Sequence, residues 1–329
     1  MTLRIIDRET VAQLLTYDVA IPLMRQAMIA LSAGRTRQTL RQLIPVKDGP
    51  LEDGAVFGVM PGADEASFGA KLISVYPGNF AKGLQSHQGA VLVFDPANGA
   101  PAALVHAGEI TAIRTAAASA AATDVLARPG PCVLALLGYG EQAHTHALAI
   151  SHIRPLTAIR IWGRSMARAD ELARRLSREL NLKATAHAQA GAAVRDADII
   201  CAVSAAKEPI LCNADVKDGA HVNLVGSSHA GPREADDALV VRGRLFADHR
   251  EGVLRQGAEV LHAIAAGLIG EDHVLGEIGE VMAGNKPGRV GHNDVTIYKS
   301  LGAIAQDLAS AWYVNQQAVA LNLGTEVNF

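Results

Sequence analysis

At 329 residues, with 49% hydrophobic and 19% charged positions, the chain has the composition of an ordinary globular protein long enough for two domains with sizeable cores. Its formal net charge of −3 offers no electrostatic footprint for nucleic acid or an anionic membrane, and no apolar run is long enough to span a bilayer. Charges interrupt the apolar residues between Met1 and Glu9, unlike the continuous run of a signal peptide. The three cysteines, Cys132, Cys201 and Cys212, form no CxxC pair and two of them fall in apolar strand-like runs, which fits a reduced, cytoplasmic protein.

In chain order, the pattern from Asp7 to Ala33 predicts a short helical region, with Thr10 and Asp18 as caps. Strand-like segments follow at 41–46, 55–60, 67–75, 88–95 and 102–106. Turn signals at Lys47-Asp48-Gly49-Pro50, Pro61-Gly62 and Pro96-Ala97-Asn98-Gly99 separate them and suggest a meandering sheet. Glu109 to Ala127 reads as an alanine-faced helix that Pro129 ends, and Gly130 releases the chain. Strands are then expected at 132–137, 157–162, 198–203, 220–225 and 244–248, with helices between the first pairs, the alternation of a doubly wound parallel sheet. Gly276 to Gly284 resembles a glycine loop only in spelling, with no strand expected before it. A final helix over Ser300 to Leu321 is amphipathic enough to pack back on the first domain.

The most telling stretch begins at Pro131 and runs through Gly138-Tyr139-Gly140-Glu141-Gln142-Ala143, a buried strand, a glycine turn and a helix start. Gly138 permits the tight turn, Gly140 lets backbone N–H groups approach a pyrophosphate, and Ala143 allows close helix–strand packing. The helix N-terminus adds donors and the positive end of a dipole. An NAD site normally places Asp or Glu after the second strand. Here the residues are Gly163-Arg164-Ser165-Met166-Ala167-Arg168, and a guanidinium pairs with phosphate where a carboxylate repels it. The expected cofactor is therefore NADP(H), held through Arg164, Ser165 and Arg168, with NAD(H) as the alternative. His144 and His146, two apart on the predicted helix, point away from each other, and no metal site is expected.

Three further segments resemble the ornithine cyclodeaminase/mu-crystallin family: Gly69-Ala70-Lys71 through Pro77-Gly78-Asn79, Glu109 through Arg114-Thr115 to Ser119, and Val295 through Lys299-Ser300 to Gly302. With the glycine turn between them, the resemblance covers nearly the whole chain. It implies a Rossmann-type nucleotide domain over 121–302, and an α+β substrate and dimerisation domain built from both chain ends, 1–120 with 303–329. It also implies a homodimer acting on small amino or imino acids with NAD(P)(H). Carried over, Arg41, Lys71 and Arg114 are the binders of a substrate carboxylate, since fixed cations on different elements orient the adjacent carbon for hydride transfer. Lys71, in an apolar run, gains a second role, because a desolvated ammonium can exchange a proton with a nearby nitrogen. Each also has a plain structural reading: Arg41 on the solvent face of a strand, Arg114 in an ion pair with Glu109. The same match places Ser86 and Thr115 near phosphates or nicotinamide, Val203 and Ser204 at a strand end, and Lys299 to Gly302 near the nicotinamide ribose.

The chain departs from the family's cyclodeaminases at one position. Aligned on Glu234, their loop aspartate, which handles the substrate nitrogen and the attacking water, is Ser228 here. A serine is no general base near neutrality without help. Reduction of a cyclic imine already formed needs no activated water, only carboxylate anchoring, a hydride donor and a protonated C=N. The resemblance thus points to a ketimine reductase converting delta-1-pyrroline-2-carboxylate or delta-1-piperideine-2-carboxylate to L-proline or L-pipecolate. The alternatives are an ornithine cyclodeaminase in which His229 or Asp236 restores proton transfer, an alanine-type amino-acid dehydrogenase, or a non-catalytic NADP-binding protein.

Overall fold

The computed structural model describes residues 2–46 and 55–328 and divides the chain into two compact units, Met1–Arg114 with Ala303–Phe329, and Thr115–Gly302. The turn expected at Lys47-Asp48-Gly49-Pro50 lies outside the described residues.

The first unit begins with β1 (Thr2–Ile6), α1 (Arg8–Leu14) and α2 (Tyr17–Ser32), continues through β2 (Arg37–Gln38), β3 (Gln42–Pro45), β4 (Val56–Ala63), β5 (Phe68–Val75), β6 (His87–Phe94) and β7 (Pro101–His106), and enters α3 (Ala107–Leu126). The helical region at the N-terminus is two helices. Asp7, and not Thr10, is the first cap, its carboxylate accepting the Thr10 N–H at 2.9 Å, and Thr16 precedes the second helix, leaving Asp18 in its first turn. There a carboxylate still favours the positive end of the helix dipole.

The sequence reading missed β1 because Arg4 interrupts its apolar pattern. Its guanidinium is nonetheless buried, paired with Glu326 and the carbonyl of Leu323.

The second unit contains β8 (Cys132–Leu137), α4 (Glu141–Ile153), β9 (Leu156–Trp162), α5 (Met166–Leu180), β10 (Ala184–His187), α6 (Ala190–Val194), β11 (Ile199–Ala202) and β12 (His221–Leu224). It continues with α7 (Asp237–Arg242), β13 (Arg244–Ala247), α8 (Arg250–Gln256), α9 (Ala258–Ala265), β14 (Val274–Glu277), α10 (Ile278–Met282) and β15 (Thr296–Lys299). The chain then returns to the first unit through α11 (Ile304–Leu321) and β16 (Thr325–Asn328).

Among the described residues the first sheet has the order β16-β1-β7-β6-β5-β4-β2, with β3 also on β4. Its middle, β4 to β7, is the expected antiparallel meander. The last helix crosses β4 to β7 and packs on α2.

The second sheet has the order β10-β9-β8-β11-β12-β15-β13-β14, parallel throughout. Its strand order reverses between β8 and β11, the place where open α/β sheets bind ligands beyond their strand C-termini. Leu137, Ile200, Val222, Leu224, Leu245 and Ile297 from these strands form its core.

Two expectations are corrected. A strand, β14, does lead into the Gly276 segment, and Glu277 and Glu280 form a capping box at the start of α10. The last helix starts at Ile304, because Gly302 has φ +86° and the N–H groups of Leu301 and Gly302 are taken by the Asp248 carboxylate. Among the described residues no single helix is long and apolar enough to cross a membrane.

Candidate active site

In the first unit the alternation of β5 is inverted, with Lys71 3% exposed and its neighbour Leu72 37% exposed. Cross-strand pairing places Lys71 between Met60 and Val91, both buried. Its Nζ donates to Asp307 Oδ1 at 3.0 Å and lies 2.9 Å from Oδ2. Arg114 on α3 donates from Nε to the same Oδ1 at 3.0 Å and from Nη1 to Gln306 Oε1 at 2.7 Å. The alternative pairing with Glu109 does not form, because Glu109 is engaged by Arg8 at 2.8 Å.

Burial pushes the Lys71 ammonium down to about 7, Asp307 opposing this and Arg114 and Arg41 adding to it. Burial alone would raise Asp307, but Arg114 and then Lys71 hold its carboxyl below the usual value. Arg41, half-buried just ahead of β3, is close enough to depress both Lys71 and His87. His87 keeps part of its surface open to solvent, yet the packing around it, and then Lys71, Arg41 and Arg114, push it down to about 4. Its neutral ring shares a 2.9 Å hydrogen bond with Ser86. Lys71, Arg114, Arg41 and His87 thus converge, and Ser86 joins them through His87.

Asp307 and Gln306 were not anticipated from sequence. Their signal was a carboxylate three residues beyond Ile304 and four before Ala311, on the buried face of an apolar helix. Such a charge demands a partner.

In the second unit the turn after β8 is built on glycine. Gly138 adopts φ +139°, and a Cβ there would lie 2.8 Å from the Val203 carbonyl oxygen. Its N–H donates to the Trp162 carbonyl at 2.8 Å, tying the ends of β8 and β9 together. Gly140 caps α4 without a side-chain hydrogen bond, and a Cβ on it would enter open space. Helix N-termini in general favour anions through their unpaired N–H groups and dipole.

Glu141 and Gln142 open α4, and the Gln142 carbonyl accepts from His146 Nδ1 at 2.7 Å. That fixes the neutral tautomer, so the Ser119 hydroxyl donates to Nε2 at 2.9 Å, and burial pushes His146 down to about 4. His144 instead meets Glu179 at 2.6 Å. Among the described residues no three His, Cys, Asp or Glu side chains could hold a metal ion.

Tyr139 lies over Gly163, where a Cβ would come within 2.1 Å of its ring. Ser165 caps α5 by accepting the Arg168 N–H at 3.4 Å. Arg164 and Arg168 are both exposed beside it.

Buried carboxylates organise the loops beyond β11, β12, β13 and β15. Glu234 accepts the Ser204 N–H and hydroxyl at 2.7 Å each, and the Gly226 N–H at 2.7 Å. Burial pushes its carboxyl up to about 7 despite these donors. Glu259 accepts the Ser227 hydroxyl at 2.5 Å and the Glu234 N–H at 3.1 Å, and its ion pair with Lys299 spans 2.8 Å. The Lys299 side chain is fully buried and bound to Glu259 and to Ser227 O and Oγ at 2.6 and 2.7 Å. Gly302 is likewise held by its N–H to Asp248 at 2.6 Å. Ser228, half-buried, follows the clamped Ser227 directly, and Thr115 is buried on α3.

Comparison with known proteins gives these geometries their context. The model of the ornithine cyclodeaminase/mu-crystallin family matches residues 3–322. Ketimine reductase mu-crystallin of Mus musculus is 36% identical over 299 residues, 89% of this chain and 90% of that protein. The Delta(1)-pyrroline-2-carboxylate reductase of Thermococcus litoralis, solved with NADH and L-proline, has a TM-score of 0.94 at 30% identity, covering 98% of this chain and 100% of that one. An archaeal alanine dehydrogenase dimer with bound NAD has a TM-score of 0.92 at 26% identity over 100% of both chains. By the family model's match over nearly the whole chain, the chain belongs to the ornithine cyclodeaminase/mu-crystallin family.

Proposed function

We propose that this chain is an NAD(P)H-dependent ketimine reductase acting on delta-1-pyrroline-2-carboxylate, delta-1-piperideine-2-carboxylate or both, to give L-proline or L-pipecolate. The observation that carries this reading is the charge imbalance of the first unit, where two buried cations, Lys71 and Arg114, share the single carboxylate of Asp307. A buried charge in excess is costly unless an anion meets it, and the carboxylate of a small imino acid supplies one. Arg41 adds to the same positive field.

Gly138, Tyr139, Gly140, Glu141 and Gln142 form the turn for the cofactor pyrophosphate, with Thr115, Val203 and Ser204 as further cofactor contacts. Arg164, Ser165 and Arg168 favour the 2′-phosphate of NADP(H), and among the described residues Arg164 has no hydrogen bond or ion pair that would compete for it.

Bound reduced nicotinamide supplies a hydride. The chain's residues hold the imino-acid carboxylate at Lys71 and Arg114, orient the adjacent C=N carbon, and keep a proton at Lys71 Nζ within the range where it exchanges near neutrality. Ser228 offers no carboxylate to activate water, which supports imine reduction over deamination.

Two finer inferences accompany this reading. Ile44 and Leu72, 52% and 37% exposed on the first sheet, support a homodimer like the alanine dehydrogenase neighbour. Buried Cys132 and Cys201, their thiols pushed up to about 11 and about 12 mainly by burial, fit a cytoplasmic protein.

The test is initial-rate oxidation of NADPH and of NADH with delta-1-pyrroline-2-carboxylate, beside ammonia release from L-ornithine with NAD. Faster oxidation of NADPH without ammonia is expected. Ammonia and proline from ornithine would overturn the reductase assignment, and equal or faster use of NADH would overturn the cofactor preference.

A further inference from the structure

We infer that Asp307 is the positioning residue of the carboxylate site: it fixes Lys71 and Arg114 side by side and leaves the pair one positive charge for a ligand to neutralise. The inference rests on the proposed reading of these cations as substrate binders, and extends it to a residue that need not touch the substrate.

Geometry carries the argument. Asp307 is fully buried on the face of α11 that also buries Ile304, Leu308 and Ala311, so its carboxylate cannot swing to water. It receives Lys71 from β5 and Arg114 from α3 on one oxygen, both at 3.0 Å. Gln306 takes the Arg114 Nη1 at 2.7 Å, and its own Nε2 lies 3.1 Å from Met28 Sδ on α2. The guanidinium is therefore gripped along its Nε and Nη1 edge, and Nη2 has no partner among the described residues.

The charged and titratable groups facing the cluster are Lys71 on β5, Arg114 on α3, Arg41 ahead of β3 and His87 on β6. All are cationic or neutral apart from Asp307 itself. Without Asp307, two desolvated cations would repel each other, and the ammonium would release its proton more readily.

Asp307→Asn and Asp307→Glu, in the full-length protein, separate charge from geometry. With NADPH and delta-1-pyrroline-2-carboxylate, kcat/KM falls as pH rises through the Lys71 titration. In Asp307→Asn that limb moves down by about one unit or more. KM for the imine rises about tenfold or more, kcat changes less, and NADPH affinity, read by fluorescence, stays within about twofold. Asp307→Glu returns the limb to the wild-type position while KM stays raised.

Carbon-13 NMR of labelled lysine Cε, with Lys71 assigned against Lys71→Met, reads the same titration without turnover. It decides the matter even if the wild type fails to reduce the imine, which would refute the proposed reaction alone. A wild-type limb and KM in Asp307→Asn, or an unmoved Lys71 resonance, overturns the inference. If Asp307→Asn does not fold, an unchanged KM in Asp307→Glu overturns it.

Discussion

The two units each bury a lysine beside a carboxylate, and the two pairs are built for opposite ends. Lys299 meets Glu259 at 2.8 Å and also donates to Ser227 O and Oγ. Its charge is matched within the protein, and the effect is to hold the loop leading to Ser228. Lys71 shares Asp307 with Arg114, so one positive charge is left over whenever Lys71 is protonated. A balanced buried pair orders a backbone, whereas an unbalanced one leaves a charge that an anion would stabilise. Similar burial thus gives a structural lysine in one unit and a candidate catalytic lysine in the other.

The comparison breaks most visibly under substitution. Lys299→Met strands Glu259 in the core, and loss of one partner of a buried pair costs about 3–5 kcal/mol. Thermal and urea unfolding should show that loss, and a melting temperature equal to wild type would mean that the pair is not what holds the loop. Lys71→Met leaves Asp307 matched to Arg114, so stability at pH 7 is expected to hold. By contrast, kcat/KM for the imine should fall by about thirty- to several thousand-fold, the scale of about 2–5 kcal/mol for truncating a buried charge partner. Retained activity, or a large loss of stability, would erase the distinction between the two lysines.

The pH dependence of stability sharpens the same contrast. Lys71 is lowered from 10.5 to about 7, so between those values the unfolded chain binds more protons, and its contribution to stability rises with pH. Glu234 is raised from 4.5 to about 7, so the folded chain binds more protons there, and its contribution falls as pH rises over that window. Urea midpoints between about pH 5 and pH 9.5 should therefore lose the rising component in Lys71→Met and the falling one in Glu234→Gln. An unaltered slope in either variant would reject that residue's assigned titration.

Much of this arrangement was legible in the amino-acid order. Strands β8, β9 and β11 and the turn at Gly138 could be read because buried parallel strands form apolar runs and glycine marks the turn. Lys71 stood out as a charge in an apolar run. What stayed hidden depends on partners distant in sequence. β1 looked too charged until Glu326 and Leu323 accounted for Arg4, and β16 is short, polar and largely exposed. Asp307 was concealed within a helix read only for its amphipathic pattern. The burial of Lys299 was illegible because its partner Glu259 lies in a helix that no motif marks.

The first unit is assembled from the beginning and the end of the chain, and this gives its charge cluster a history during synthesis. Asp307 lies 236 residues after Lys71. At about 5–20 residues per second, the ribosome delivers it on the order of ten to fifty seconds after the lysine. Throughout that interval the nascent sheet carries a lysine whose counter-ion does not yet exist, while the intervening segment, 115–302, is being made. The unit holding Lys71 can therefore close only after all of 115–302 has been made, when α11 brings its carboxylate.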